Sequence, residues 1–211
     1  MVLILALGCQ PRVPTEELLV RMTVVGYELD EVEVEVLVED WEGQVFELRD
    51  DDRLTLLLGD EEMALSSGQL DWSGDVPQTG LTATLALARS WDVPAEAWLV
   101  LPAPLTLTAP EQGDRTFNPA EDDIDLAWGP SGTEDTMSYE VEGDCVWLHK
   151  RFFGDAGVAR IPTWSWPEDA LDGCEATITM NRLPVGGTGW TGWSGELSGS
   201  RHSAVDVRLT P

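Results

Sequence analysis

The chain has 211 residues, of which 39 are Asp or Glu and 12 are Lys or Arg, so its formal net charge at pH 7 is -27. At about 100 to 200 residues per domain, this length fits one large domain or two small ones. The hydrophobic fraction of 43% is too high for a disordered acidic tail, and we expect the chain to fold. Its basic residues are scattered and form no basic stripe, which argues against nucleic-acid binding and against electrostatic attraction to anionic lipids.

A short apolar run opens the chain and ends at Gly8 and Cys9, after which the sequence turns polar at Gln10. Such a run is typical of the hydrophobic region of a secretion signal. These residues resemble the lipobox of bacterial lipoproteins, whose Cys is acylated and becomes the mature N-terminus. The resemblance implies a signal segment over residues 1–9, lipidation at Cys9, a tether over residues 10–14, and an outer-membrane lipoprotein of the cell envelope. The alternative is an N-terminal strand with a buried free Cys.

Strict alternation of acidic and apolar residues begins at Glu31 and runs to Val36, which predicts a strand with valines on one face and glutamates on the other. Further strands are predicted at Leu54 to Leu58, Leu81 to Ala88 and Ala97 to Leu101. Prolines at 102 and 104 then interrupt any central-strand pairing. We therefore predict a first β-sandwich domain over residues 15–102.

The second half repeats this pattern over residues 106–211. The segments Ile124 to Pro130 and Ser138 to Val141 resemble the B and C strands of a fibronectin type III or immunoglobulin-like domain, and Leu171 to Asn181 resembles the E-to-F turn and F strand. That resemblance implies core positions for Trp128 and a Cys in place of the usual Tyr of strand F. Trp147 is also expected in the core. The fold prediction is all-β, with two antiparallel immunoglobulin-like or fibronectin III-like β-sandwich domains in tandem. The layout also resembles two-domain surface lipoproteins of Gram-negative bacteria, a resemblance that carries no activity with it.

With one of the three cysteines assigned to the lipobox, Cys145 and Cys174 form an even pair. In an oxidising periplasm we expect them to form a disulfide bond, which would tie the strand-C region to strand F. The alternative is a metal site, which calls for a CxxC motif or a nearby His. The sequence has no CxxC motif, and its two His residues are His149 and His202.

Acidic turns between the predicted strands are candidates for calcium binding, because hard cations take several oxygen ligands from loop carboxylates and carbonyls. None has the spacing of a known calcium loop. The candidates are Asp50, Asp51, Asp52, Asp122 and Asp123. The alternative is that these carboxylates are solvated charges that block edge-to-edge pairing of strands.

Ten tryptophans are many for this length, and four of them alternate with small polar residues in two short segments. Exposed indole rings can stack on sugars or anchor a protein partner. The candidate ligand contacts are Trp164, Trp166, Trp190 and Trp193. The alternative is that each Trp covers an end of a sandwich, with a flexible hairpin loop over residues 186–199.

No nucleophile, phosphate-binding or metal-hydrolase motif is present, and neither His residue has a partner that the sequence can justify, so no catalytic residue is assigned. The prediction is a non-enzymatic, lipid-anchored envelope protein that acts in adhesion, scaffolding or partner binding. The membrane is contacted through the lipid, a protein or glycan partner is expected, and nucleic acid is not. The alternative is a carbohydrate-binding or calcium-binding β-sandwich module, with calcium as the one cofactor considered.

Overall fold

A computed structural model describes residues 13–27, 31–49, 51–75, 81–111, 115–184 and 187–211. Their regular structure consists of β-strands and three short 3-10 turns at Thr15–Glu17, Thr163–Ser165 and Glu168–Asp172. The predicted all-β sandwich class is confirmed. Among these residues, no helix has the length and apolar character needed to span a bilayer.

Seven strands come from the first half of the chain: β1 Leu19–Gly26, β2 Glu31–Glu39, β3 Asp52–Leu58, β4 Glu61–Leu65, β5 Gln69–Asp75, β6 Thr82–Arg89 and β7 Ala95–Val100. They form two layers, with β1-β2-β5 in one sheet and β7-β6-β3-β4 in the other. The alternation of apolar and polar residues along each strand determines which side chains lie between the two layers. On β2, the valines at 32, 34, 36 and 38 are buried in the first core, and the glutamates point outwards.

Nine strands follow: β8 Thr106–Ala109, β9 Thr116–Phe117, β10 Ile124–Gly129, β11 Thr136–Gly143, β12 Val146–Phe153, β13 Val158–Ile161, β14 Glu175–Leu183, β15 Thr188–Thr191 and β16 Ser194–Leu209. Sheet β8-β10-β13 faces the strands β12-β11-β14-β16 across a second core. Trp128 is buried in this core, as expected. Trp147 is not: it lies on the outward side of β12 and is 69% exposed, because Val146 and Leu148 take the inward positions.

The long strand β16 belongs to both halves of the molecule. Residues 194–201 pair in parallel with β1, and residues 201–208 pair antiparallel with β14. One continuous sheet, β12-β11-β14-β16-β1-β2-β5, therefore runs through both sandwiches. The parallel pairings of β16 with β1 and with β9 differ from the purely antiparallel arrangement that the alternation predicts.

The C-terminal segment also contributes to the first sandwich. Strand β15 pairs with β7, and Trp193 packs in the first core together with residues 18–101. The alternative interpretation of residues 186–199 as a flexible hairpin loop is therefore wrong for the described part, which consists mainly of β15 and the start of β16. The division of the chain into domains at residues 102–106 stays a prediction. The two cores divide near that point, with Trp193 returning to the first.

A buried arginine holds the proline segment between the two cores. Arg182 is fully buried on β14, and its guanidinium donates hydrogen bonds to the carbonyls of Ala103 and Pro104, at 3.0 Å each, and to the carbonyl of Pro130. It also forms an ion pair with the equally buried Asp155, with 2.7 Å between Nη2 and Oδ2. Buried carbonyls and carboxylates need such donors. The junction is therefore fixed by bonds to its backbone and not by apolar packing alone.

Arg201, opposite Arg182 on the neighbouring strand, is a second buried cation at the same junction. Its Nε donates to the carbonyl of Pro102 at 3.1 Å. Its partner on β1 is Gly26, where a Cβ would lie only 1.8 Å from the guanidinium. A glycine at this position therefore leaves the room that the buried side chain occupies.

Candidate functional site

The four candidate tryptophans do not come together on one exposed surface. Trp166 is buried in the second core and Trp193 in the first. Trp164 is 81% exposed in the turn after β13, whereas Trp190 is 46% exposed on β15, next to β7 of the first half. Ligand binding by Trp164 or Trp190 stays a prediction for each ring by itself.

The first acidic turn is bound by the protein's own groups. Asp50 lies outside the described residues. Asp51 accepts a hydrogen bond from the hydroxyl of Ser90 at 2.9 Å. Asp52 is buried and forms an ion pair with Arg89, with 3.3 Å between Oδ1 and Nε. Burial of this guanidinium lowers the pKa of Arg89. The carboxylate of Asp52 therefore neutralises an interior cation.

The second acidic turn is similarly occupied. Asp122 accepts a hydrogen bond from the backbone N–H of Asn118 at 2.7 Å, and Asp123 accepts one from the N–H of Thr163 at 2.8 Å. Asp123 also lies 3.5 Å from Arg160. Across the described residues, no group of three or more His, Cys, Asp or Glu side chains is arranged to hold a metal ion. The calcium candidates thus form no ligand set in this part of the chain.

The expected disulfide bond between Cys145 and Cys174 is present. Cys145 lies in the turn between β11 and β12, and Cys174 immediately precedes β14. Both cysteines are partly buried and pack against the second core. The bond therefore fixes the β11–β12 hairpin to the start of β14, as the strand assignment predicts.

The side of the continuous sheet that points away from both cores, here called the outer face, carries a cluster of polar and aromatic residues. Both His residues of the chain lie on it. The cluster consists of Tyr27, Glu33, Ser138, Glu140, Trp147, His149, Arg151, Asn181, Ser200 and His202. Its members come from five strands and from Tyr27, which immediately follows β1, so only the folded sheet brings them together.

His202 occupies the middle of the outer face. Its Nε2 lies 2.9 Å from the hydroxyl oxygen of Ser200, and its ring meets that of Tyr27 edge-on, with 5.7 Å between centroids. Burial lowers the pKa of His202, and the negative charges of Glu140 and Glu33 partly oppose that shift. At neutral pH the imidazole is therefore uncharged and can exchange hydrogen bonds with a polar ligand.

Two carboxylates orient the aromatic side chains of the outer face. The hydroxyl of Tyr27 donates to Glu33 at 2.7 Å, and burial together with this bond raises the pKa of Tyr27 to about 12. On the other side, the indole N–H of Trp147 donates to Glu140 at 3.1 Å. His149 lies opposite Glu140 in the strand register. Four strand spacings separate β12 from β1, which corresponds to about 19 Å across the sheet, and Trp147 and Tyr27 are also offset along the strands.

An unsatisfied acceptor lies between these groups. Asn181 pairs with His202 in the strand register, and its buried Oδ1 receives no hydrogen bond within the described structure. Buried polar atoms are normally satisfied by protein, water or ligand. The outer face thus combines an unsatisfied buried acceptor, a neutral imidazole and exposed aromatic surface. Sequence reasoning missed this cluster, because its members become neighbours only when the register of six strands is known.

A scan against protein-family models finds no matching family, and a search of the curated proteins finds no similar sequence.

Proposed function

We propose that this chain is an exported, lipid-anchored, non-enzymatic protein of the bacterial cell envelope that binds a partner through the outer face of its continuous sheet. The anchor would be Cys9, which lies outside the described residues. The Cys145–Cys174 disulfide bond supports export, because such bonds form and persist in oxidising compartments such as the periplasm. The outer membrane is the proposed location, on the basis of the lipobox resemblance.

The observation that carries the proposal is the exposure of Trp147 inside the polar cluster of the outer face. A Trp that is 69% exposed and held by Glu140 presents a large apolar surface with little freedom left to lose on binding. Trp is also enriched among the residues that contribute most to binding energy at protein interfaces. Since the sheet is continuous, a partner could contact both halves of the molecule at once.

The strand arrangement supports a fibronectin III-like assignment for residues 106–211. With β10 as strand B, β11 as strand C and β14 as strand F, strand B lies in one sheet while C and F are neighbours in the other. Immunoglobulin-like sandwiches divide these strands in the same way. Many cell-surface binding domains share this architecture, which suits an adhesive or scaffolding role but does not by itself define one.

A pulldown with matched tryptophan variants tests the binding proposal. The chain is crosslinked in native cell envelopes, and partners are compared for wild type, Trp147→Ala and Trp41→Ala. Both side chains are 69% exposed, and Trp41 lies in a turn outside the outer-face cluster. We expect Trp147→Ala to reduce the captured partner about tenfold or more, and Trp41→Ala to leave it unchanged. Equal recovery with both variants would exclude the outer face as the binding surface.

The anchor needs a separate experiment. Cys9→Ser should move the protein from the membrane fraction to the soluble fraction, because the diacylated Cys would be lost. Retention of this variant in the membrane would contradict the lipoprotein assignment without affecting the binding proposal.

Carbohydrate is the second candidate partner class, and the same cluster favours it. The indole of Trp147 next to Glu140 and His149 combines a stacking surface with hydrogen-bonding groups, which is what a sugar ring requires. A panel of neutral oligosaccharides measured by calorimetry against wild type and Trp147→Ala would test it. Saccharide binding that survives Trp147→Ala but is lost in Trp164→Ala would move the glycan site to the turn after β13.

A further inference from the structure

A groove opens between β12 and β13, at one edge of the second sandwich. Its volume is about 580 Å³, within the range of small-molecule sites. The two strands are the edge strands of opposing sheets, and residues 154–157 connect them. The groove therefore gives access to the space between the two sheets.

The groove has an aromatic and aliphatic lining. Tyr139 and Phe152 line it, with 6.5 Å between their ring centroids, and Trp128 lies behind Phe152 at 6.0 Å. Val158 and Ala159 line it from β13. Burying this apolar surface under a hydrocarbon or aromatic body would be favourable by the hydrophobic effect. Burial also raises the pKa of Tyr139, so its phenol stays protonated and able to donate a hydrogen bond at neutral pH.

The single lysine of the chain, Lys150, lines the same groove. It alternates in phase with Val146, Leu148 and Phe152 of β12, which pack against the second core, but its own side chain is exposed to solvent. Lys150 lies opposite Tyr139 in the strand register. It forms no hydrogen bond and no ion pair with any described residue. Although the chain has a net charge of -27, no acidic residue in the described part of the structure pairs with this ammonium.

The other charged groups of the groove are already neutralised. Arg160 forms an ion pair with Asp125 at 2.6 Å and lies 3.5 Å from Asp123. Asp155 is bound to Arg182. The uncompensated charge of the groove is therefore the one positive charge of Lys150, and a second anionic group beside Arg160 would meet the carboxylates of Asp123 and Asp125.

We infer that this groove binds a small amphipathic monocarboxylate, with its carboxylate on Lys150 and its apolar body against Tyr139 and Phe152. The argument from charge complementarity is specific: one free cation matches one anion, and the apolar lining matches a hydrocarbon or aromatic body. Lys150 and Trp147 lie on opposite sides of β12, so this site is separate from the outer face and independent of the proposed partner. The competing role for Lys150 is an inward-pointing charge that protects an edge strand from pairing.

Calorimetry with three related probes on the full chain tests the inference. The probes are octanoate, the neutral octanamide and the dicarboxylate suberate. We expect octanoate to bind about tenfold or more tightly than octanamide, because a charge-assisted hydrogen bond to Lys150 is lost in the amide. Suberate should also bind more weakly than octanoate, because its second carboxylate gains no partner. Equal affinity for octanoate and octanamide, or no binding of octanoate, would overturn the inference.

Three variants at two neighbouring positions of β12 locate the site. Lys150→Met removes the charge and keeps most of the apolar stem, so octanoate affinity should fall about tenfold or more. Lys150→Arg should retain most of the affinity. Arg151→Met is the matched control, because this cation lies on the outward side of the same strand, and its octanoate affinity should be unchanged. An equal loss in Lys150→Met and Arg151→Met would indicate a general charge effect and overturn the inference. Thermal melting of each variant verifies that it is folded.

Discussion

Replacing Arg182 with Met tests whether the buried guanidinium holds the junction between the two cores. The variant keeps a long apolar side chain but removes the donors to the carbonyls of residues 103, 104 and 130. It also leaves Asp155 as a buried carboxylate without its ion-pair partner, although Trp128 and Thr133 still donate hydrogen bonds to it. Both members of the pair are fully shielded from water, so solvent cannot replace the lost interaction.

The loss of stability expected for Arg182→Met follows from the burial of the ion pair between Arg182 and Asp155. Removing one partner of a buried ion pair costs about 3 to 5 kcal/mol of the free energy of unfolding. Unfolding of a chain of this length carries an entropy of about 0.44 kcal/mol/K, so the midpoint of thermal unfolding should fall by about 7 to 11 °C. Differential scanning calorimetry of wild type and Arg182→Met at neutral pH measures this shift directly.

Arg160→Met is the matched control, because Arg160 also pairs with an aspartate but is largely exposed on the surface of the same sandwich. Its unfolding midpoint should stay within about 2 °C of wild type, since exposed pairs contribute little. The double variant Arg182→Met with Asp155→Asn should lose less stability than the sum of the two single variants, because each single change leaves a buried charge behind. Equal unfolding midpoints for Arg182→Met and Arg160→Met would refute the role of Arg182 in holding the junction. Strict additivity of the two single losses of stability in the double variant would refute it as well.

Three further measurements test the fold and the outer face. Gly195→Ala should lower the free energy of unfolding by about 1 to 3 kcal/mol or more in chemical denaturation, because a Cβ there would lie 1.7 Å from a carbonyl oxygen of β1; Gly129→Ala, with open space around it, should change it little. Replacing both Cys145 and Cys174 with Ser should cost about 3 to 4 kcal/mol, the entropy of closing a loop of that length. Burial lowers the pKa of His202 in the folded protein, so the unfolded chain takes up a proton on this imidazole at a higher pH than the folded chain does. The contribution of His202 to the free energy of unfolding should therefore be fully present above pH 6.5 and should decline as the pH falls towards the lowered pKa of the folded state. His202→Gln should flatten this decline, and an unchanged slope would contradict it.

The strands were predictable because most of them have one buried face. Where apolar residues alternate, as at Val32 to Val38 on β2 or Ile124 to Trp128 on β10, the period of two determines both the element and its inward side. The same rule would have placed Trp147 outwards, since its neighbours Val146 and Leu148 are the apolar pair of that strand. The core position was expected because Trp is a large apolar residue, without regard to the place of Trp147 in the alternation of inward and outward residues along the strand.

The double pairing of β16 could not be predicted from the sequence. Its first part, residues 194–200, is rich in Ser and Gly and has one large apolar residue, Leu197, so no alternation marks it as a strand. Its pairing with β1 spans most of the chain, and strand register over such distances depends on the packing of whole layers. The outer-face cluster depends on this pairing, because Tyr27 and His202 become neighbours only through it.

The positions that the structure singles out share a signal that alternation can reveal. Arg182 follows Ala176, Ile178 and Met180 on the inward side of β14, and Lys150 follows Val146 and Leu148 on the inward side of β12. In each case a cation occupies a position at which the alternation along the strand predicts an apolar residue. A charge on the core side of a strand is costly unless a partner compensates it. For Arg182 that partner is Asp155 and the junction backbone. Lys150 differs because its side chain is exposed to solvent at the edge strand, so water hydrates the ammonium and the charge stays accessible to a bound anion in the groove.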